Sequence, residues 1–402
     1  MKFGKRPNVR GVEIMLKNEV LIVFGEDYGR HPHCLEHLIN EILAYNQVIW
    51  VETIGMRSPK ISWYDFKRIF QILKKWILPR EMGAHIETDK NLTVVSPFML
   101  PFNSYRSVRF FNQFMVTRKV KNVLKNMYSH RPIVITSIPS TCDFIKKYEE
   151  KISVYLCVDE FSLWPGLPHE LIKKMENELL KKTDVIFATS SALANSKRKF
   201  GKEVCLLTHG VNVAHFNLKK NNVTDGVERR VCYFGLIDDR CDQMLLAFLA
   251  NSLPQCIFTI IGEVVASDIS ILRSCSNIIF EKRVAYNELP SKIANEDIFI
   301  LPYHVNELTN NINPLKIREY MATGRPVIST PLPEVLLLRE FLFVAESATD
   351  FVRIISELIN GTTHFNPILT LNHLIENESW FMKANLFSDK IMAISLSNEM
   401  VM

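Results

Sequence analysis

Residues 311 to 334 read Asn-Ile-Asn-Pro-Leu-Lys-Ile-Arg-Glu-Tyr-Met-Ala-Thr-Gly-Arg-Pro-Val-Ile-Ser-Thr-Pro-Leu-Pro-Glu. The order predicts a helix, a tight stop and a buried strand. Asn313 suits an N-cap, and Pro314 suits the first helical position, where no amide donor is needed. Leu315, Tyr320 and Met321 supply an apolar face, and Gly324 can end the helix in the left-handed conformation. Val327 and Ile328 begin the strand. Lys316 and Glu319 are three apart and share one helix face. Lys316 lies in the first turn, where exposed amides and the helix dipole favour an anion. The stretch can therefore hold a phosphate at the helix start and a hydroxyl-rich group one turn later, as a sugar nucleotide requires. A capped surface helix carrying a Lys–Glu pair fits the same local pattern.

Working outward, a chain of 402 residues is long enough for two domains with full cores. Its 47% hydrophobic and 23% charged residues are ordinary for a globular protein. The eight cysteines are scattered, with no Cys-x-x-Cys, and several lie in apolar runs. That argues for reduced core thiols in a reducing compartment rather than a disulfide frame or zinc site. The first apolar run, Val20 to Phe24, is too short for a signal peptide. No apolar stretch approaches the roughly 20 residues that span a bilayer. The net charge of +5 hides an asymmetry: residues 1–210 carry 32 Lys/Arg against 21 Asp/Glu, and the remainder is acidic. A basic first half suits an anionic membrane surface or a polyanionic substrate, and a solvated basic face fits it too. None of the usual nucleic-acid motifs is present, so no nucleic-acid partner is expected.

Along the chain, Val20–Phe24, Val48–Val51, Asn91–Val95, Pro132–Thr136, Ser153–Val158, Val185–Ala188 and Val204–Leu207 read as strands of a parallel array. Helices are predicted at 34–45, 110–128 and 171–182. Arg30, His31 and His33 lie in the loop after the first strand. His33 and His37 are four apart, but no third ligand completes a metal set. Residues 61–80 alternate aromatic and basic residues at helical spacing, which suits either a membrane interface or a core helix. Asp159 and Glu160 follow a buried strand, where open α/β sheets place their ligands; Asp159 could instead cap the next segment. A polar run from Asn217 to Arg230 reads as a linker. A second α/β unit starts at Arg230, and Gly235 lets its backbone turn close to a ligand. Arg240, Arg283 and Tyr303 follow at or near later strand ends. No Gly-x-Gly occurs, which counts against a nicotinamide dehydrogenase.

Several of these stretches resemble one family. "NPLKIREYMATGRPVISTPLPEV" is similar to the donor-site signature of GT-B glycosyltransferases of family 4. That resemblance implies a helix start facing the nucleotide diphosphate, formed by Asn313, Leu315 and Lys316, and Glu319 binding the ribose. The fuller family pattern has a further Glu where this chain has Asn311. Arg30-His31-Pro32-His33 resembles the first loop of bacterial polysaccharide glycosyltransferases, which implies that Arg30, His31 and His33 face the acceptor and the cleft between domains. "VYLCVDEFSLWPG" is similar to the strand end in teichuronic-acid and xanthan-type transferases, where an Asp serves as base; the match falls on Asp159. His209-Gly-Val-Asn resembles the GT-B hinge. Arg283 to Tyr286 resembles the base-pocket loop, and Arg240 stands where the family places diphosphate-binding cations. Residues 376–391 resemble the closing helix that crosses back to the first domain.

The resemblance implies an α/β protein of GT-B architecture, two Rossmann-like domains facing a cleft. The expected domains are residues 1–216 for the acceptor, 217–375 for the sugar nucleotide and 376–402 for the returning helix. The expected activity is transfer of a sugar from a UDP- or GDP-linked donor to a glycan or polyprenyl-linked acceptor in bacterial surface polysaccharide synthesis. No metal or resident cofactor is implied. The expected location is cytoplasmic, peripheral on the inner face of the plasma membrane. A sugar-nucleotide epimerase on the same fold, or an inactive glycan-binding relative, are the alternatives.

Overall fold

The computed structural model describes residues 16–29, 33–54, 56, 89–127, 131–218, 229–266 and 268–401. Arg30, His31, residues 61–80 and most of the expected linker lie outside them. The chain divides into two units. Of the described residues, one unit takes Leu16 to Leu207 and again those from Ala384; the other runs from Thr208 to Lys383. Val211, Val213 and Phe216 belong to the core of the second unit, so the stretch that resembles a hinge packs there.

The first unit holds an all-parallel sheet of seven strands: β1 (Val20–Gly25), β2 (Gln47–Glu52), β3 (Leu92–Val95), β4 (Ile133–Thr136), β5 (Ile152–Cys157), β6 (Val185–Ala188) and β7 (Glu203–Leu206). Their spatial order is β3-β2-β1-β4-β5-β6-β7. A parallel sheet is covered on both faces, so its inner strands are apolar without alternation. β1, β4, β5 and β6 are buried at every position. Helix α1 (Cys34–Ile42) ends three residues before the expected stop. The Asn46 amide donates to the carbonyls of Ile42 and Leu16, at 2.9 and 2.8 Å, and tightens the last turn into a 3-10 helix. Helix α2 (Arg106–Leu124) starts and stops four residues earlier than expected, and α3 (His169–Lys182) follows β5.

The second unit repeats the plan with six parallel strands: β8 (Arg229–Phe234), β9 (Cys256–Ile261), β10 (Ile278–Glu281), β11 (Ile298–Leu301), β12 (Val327–Ser329) and β13 (Phe343–Val344). Their order is β10-β9-β8-β11-β12-β13. Helix α4 (Leu315–Ala322) leads into β12. In place of one closing helix from 376 there are two, α5 (Pro367–Asn377) and α6 (Trp380–Val401). The break at Glu378 and Ser379 has a cause: the Val211 amide donates to the Glu378 carbonyl at 2.8 Å, and a Cβ on Gly210 would stand 2.7 Å from the Trp380 ring, so Gly210 has no room for a side chain.

In both sheets the winding reverses beside the first strand, between β1 and β4 and between β8 and β11. Ligands of doubly wound sheets bind at the carboxyl ends of the strands flanking that reversal.

Candidate active site

The second reversal is built from backbone. Gly235 ends β8, and Gly262 ends β9 with φ +152°, a conformation L side chains rarely adopt. A Cβ on Gly262 would stand 1.9 Å from the Gly235 carbonyl oxygen. Two chain segments thus touch through main chain alone. A Cβ on Gly235 would meet Lys316 Cε at 2.8 Å, so the lysine stem lies across this glycine. Lys316 Nζ stands 5.4 Å from the centre of the Phe234 ring, within cation–π range.

Tyr320 fixes α4 against this turn. Its hydroxyl donates to the Phe234 carbonyl at 2.8 Å and accepts from the Phe234 amide at 3.2 Å. The Tyr303 hydroxyl is hydrogen-bonded to Tyr233. Tyr233 in turn donates to the Leu236 carbonyl at 2.6 Å, so the Tyr303–Tyr233 pair supports the turn after Gly235. Tyr303 is buried in the core and acts behind the surface of the site.

Glu319 sits one turn beyond Lys316 and is buried. Burial raises its carboxyl above the ordinary range, and Lys316 partly offsets this. Tyr286 adjoins it: burial first, then the Glu319 charge, pushes the phenol up. The His215 ring stacks on Tyr286 with centroids 4.3 Å apart and 8° between planes, and His215 Nε2 is 2.9 Å from the Tyr286 carbonyl oxygen.

Asn313 is not the N-cap. That position falls on Pro314, which makes no side-chain cap. The Asn313 carboxamide is turned inward, accepting from Arg318 Nη1 at 2.6 Å and donating to Glu334 at 3.4 Å. Arg318 also donates to Glu378 at 2.6 Å, and Glu378 pairs with Lys383 at 3.1 Å. This buried network anchors the start of α4, and Arg318 is a residue the sequence reading missed. Leu315 is half-buried in the first turn. Arg240 forms a fork on Asp238, with Nη2 to Oδ2 at 2.6 Å, and covers the Tyr303 ring at 5.5 Å. Its charge is therefore largely answered by a carboxylate two residues away. Arg283 stands 3.9 Å from Glu263 and is half-exposed.

In the first unit, Asp159 follows β5 and is half-buried. The 3-10 turn that follows, Phe161–Leu163, has Glu160 at its N-cap position, and the Glu160 side chain does not cap it. Glu160 instead pairs with the buried Lys197 at 2.8 Å, as does Glu176. Burial opposes ionisation of Glu160, but the Lys197 charge outweighs it and holds the carboxyl low. His33 is the N-cap of α1, its Nδ1 accepting from the Glu36 amide at 3.4 Å. Burial lowers its pKa to about 4, so it is neutral near pH 7. Its Nε2 is buried with no hydrogen-bond partner among the described residues. Glu36, which the sequence reading passed over, is buried beside the Gly29 amide, and burial raises its pKa to about 7. Among the described residues the one set with metal-ligand spacing is Cys142, Asp143 and Glu178. Arg109 donates to all three, so a cation there would have to displace a guanidinium.

Two doubly wound sheets of this order define the GT-B class. HepE of Anabaena, solved with UDP and glucose, superposes with a TM-score of 0.65 over 92% of this chain and 99% of that one, at 13% identity. The UDP-forming trehalose-phosphate synthase of Burkholderia vietnamiensis gives 0.65 over 95% and 98%, at 10% identity. At these identities the likeness concerns the fold. Within the chain, residues 228–361 match the family model described as glycosyl transferases group 1. The chain is also 28% identical over 176 residues to the putative teichuronic acid biosynthesis glycosyltransferase TuaH of Bacillus subtilis strain 168. That match spans 41% of this chain and 44% of the relative, less than half of its length.

Proposed function

We propose that this protein transfers a sugar from a nucleotide-sugar donor to a glycan or lipid-linked acceptor in bacterial surface polysaccharide synthesis. One observation carries the donor half. Lys316 lies across the side-chain-free turn of Gly235 and Gly262, with the Glu319 carboxylate one turn on. The glycines let a diphosphate approach the backbone, the lysine and the first amides of α4 meet its charge, and Glu319 accepts from the ribose hydroxyls. Tyr286 and His215 offer stacked rings beside Glu319 for the base.

In the reaction, the acceptor hydroxyl gives its proton to Asp159 as it attacks the sugar carbon. The bond to the diphosphate breaks, and Lys316 with the helix amides takes up the leaving charge. Fixed positive charge does this, so the reading needs no metal. An acceptor on a lipid carrier would bring the protein to the anionic inner face of the plasma membrane. The relationship to a teichuronic acid enzyme supports the surface-polysaccharide role, and the basic first half supports the membrane placement.

The test is a panel of UDP- and GDP-sugars scored by thermal shift, followed by nucleoside diphosphate release with and without acceptor. Binding of one donor series and acceptor-dependent release are expected. Failure of every nucleotide to bind would defeat the proposal.

A further inference from the structure

Helix α2 presents a side that the donor chemistry does not use. Its inner face, Asn112, Val116 and Val120, is buried. Its outer face carries Phe110 and Phe114, which are 71% and 53% exposed. Arg118, Lys121 and Lys125 continue the same stripe and are exposed. Steps of three and four residues set these five side chains on one line along the helix. Two aromatic turns are thus followed by two basic turns. Tyr105, just before the helix, is 65% exposed and extends the aromatic end. Between Asp89 and Asp143 the chain carries eight Lys/Arg and no Asp or Glu. Of these, Arg109 alone is committed inward, to Asp143 and Glu178 at 2.6 and 2.5 Å.

Exposed phenylalanines normally cost solubility, and a cluster of them marks a docking surface. The charge pattern selects the occupant. A fifty-residue stretch without one carboxylate fits a continuous anionic surface. Aromatic rings favour the headgroup boundary of a bilayer, and Lys and Arg reach lipid phosphates from the same depth. Among the described residues no helix is long and apolar enough to cross a membrane. We propose that the outward face of α2, Phe110 and Phe114 with Arg118, Lys121 and Lys125, is the surface by which this protein lies on an anionic bilayer. The inference rests on the membrane placement proposed above and assigns it to a particular helix face.

The full chain should co-sediment with vesicles of phosphatidylglycerol in phosphatidylcholine and leave pure phosphatidylcholine vesicles in the supernatant. Because both rings are exposed, the double variant Phe110→Ser/Phe114→Ser should fold and bind nucleotide as the parent does. Its vesicle partition should fall roughly tenfold or more, since two side chains no longer enter the interface. Replacing Arg118, Lys121 and Lys125 with Gln should weaken partition by roughly fivefold per charge removed, an effect that added salt erases. A Phe110→Trp variant should shift its fluorescence to the blue with anionic vesicles only. If the parent binds no vesicle, the membrane placement itself falls, and this inference with it. If the parent binds but the double Phe variant binds equally, the placement stands and the α2 assignment is wrong. If the double variant instead abolishes self-association without lipid, the face belongs to a second copy of the chain and the inference is overturned.

Discussion

The two sheets wind in the same order, yet they treat the end of their first strand in opposite ways. In the first unit β1 ends at Gly25, and the Trp50 indole from the neighbouring β2 lies against it; an added Cβ would meet the ring at 2.4 Å. Trp50 Nε1 then donates to the Glu26 carbonyl at 2.8 Å, so the space beside the first strand holds an aromatic side chain with its polar edge satisfied. In the second unit β8 ends at Gly235, and the neighbour is Gly262, with no side chain at all. There the nearest ends belong to a flexible lysine. Strand order alone makes both ends candidates for a ligand. Side-chain volume separates them: one is packed, and one offers a side-chain-free backbone turn with a cation across it. We propose that an anionic ligand binds at the second end, and that the first unit's part is the carboxylate after β5.

That division of labour is broken most severely at Asp159. Asp159→Asn keeps the shape and removes the base. Transfer should fall by roughly 10²–10⁴-fold, the usual share of general base catalysis, while donor affinity measured by calorimetry holds. Loss of donor affinity would move Asp159 into the nucleotide site, and unchanged turnover would remove it from the chemistry. With no Glu at position 311, direct displacement with inversion at the sugar carbon is the expected outcome, and product stereochemistry checks it.

The backbone half of the contrast is tested at Gly262. A Cβ there collides with main chain, and its φ of +152° suits no L side chain. Gly262→Ala should destabilise the protein by roughly 2–4 kcal/mol in chemical denaturation, because neither partner is a flexible side-chain end. Full stability would show that the β8–β9 turn can open without cost.

How far these features were readable in the sequence depends on what kind of force decides them. The strands β1, β5 and β6 are continuous apolar runs, and burial on two faces writes that pattern directly. Lys316 and Glu319 were readable because helical spacing puts them on one face, and α4 keeps that spacing. Asn313 misled because its residue type suits a cap, while the buried Arg318, five residues on, offered its carboxamide a charged partner. Contacts of that kind bridge distant segments and leave no local trace. The Glu378 partner of Arg318 lies 60 residues further along the chain. Gly262 was visible as a strand-ending glycine, but its need to touch Gly235 follows from the parallel pairing of β8 with β9. Glu36 is a first-turn acid of α1 with no local mark of burial; its partner is the Gly29 amide of the preceding loop.

The cation half of the contrast is sharpened at Lys316. Lys316→Ala should weaken nucleoside diphosphate binding by about 1.5–3 kcal/mol, the range for a charge-assisted hydrogen bond, with little loss of stability because the side chain is half-exposed. The measurement is calorimetry with UDP and GDP. Equal affinity would leave the glycine turn as a packing feature and undo the distinction between the two strand ends. Glu319 adds a pH signature. Its ionised form accepts from the ribose, and burial has raised its pKa, so affinity should decline as pH falls through that raised value.

The smallest expected effect belongs to the packed end, and it concerns stability rather than ligand. Glu36 is buried on α1, and burial lifts its pKa from 4.5 to about 7, with the Gly29 amide pulling the other way. An acid raised in the folded state binds its proton more tightly there than in the unfolded chain. Its contribution is therefore fully present below pH 4.5, is lost as pH rises, and levels off above about 7. Glu36→Gln keeps an acceptor for the Gly29 amide and removes the ionisation. The variant should gain on the order of 1–2 kcal/mol over the parent above pH 7, and the gain should vanish near pH 4, where both side chains are neutral. Urea denaturation at the two pH values reads the difference. A gain independent of pH would mean that packing, not charge, is the penalty at this position. A loss at pH 8 would mean that the carboxylate is needed there, and that the loop after β1 holds a cation of its own rather than a filled, passive strand end.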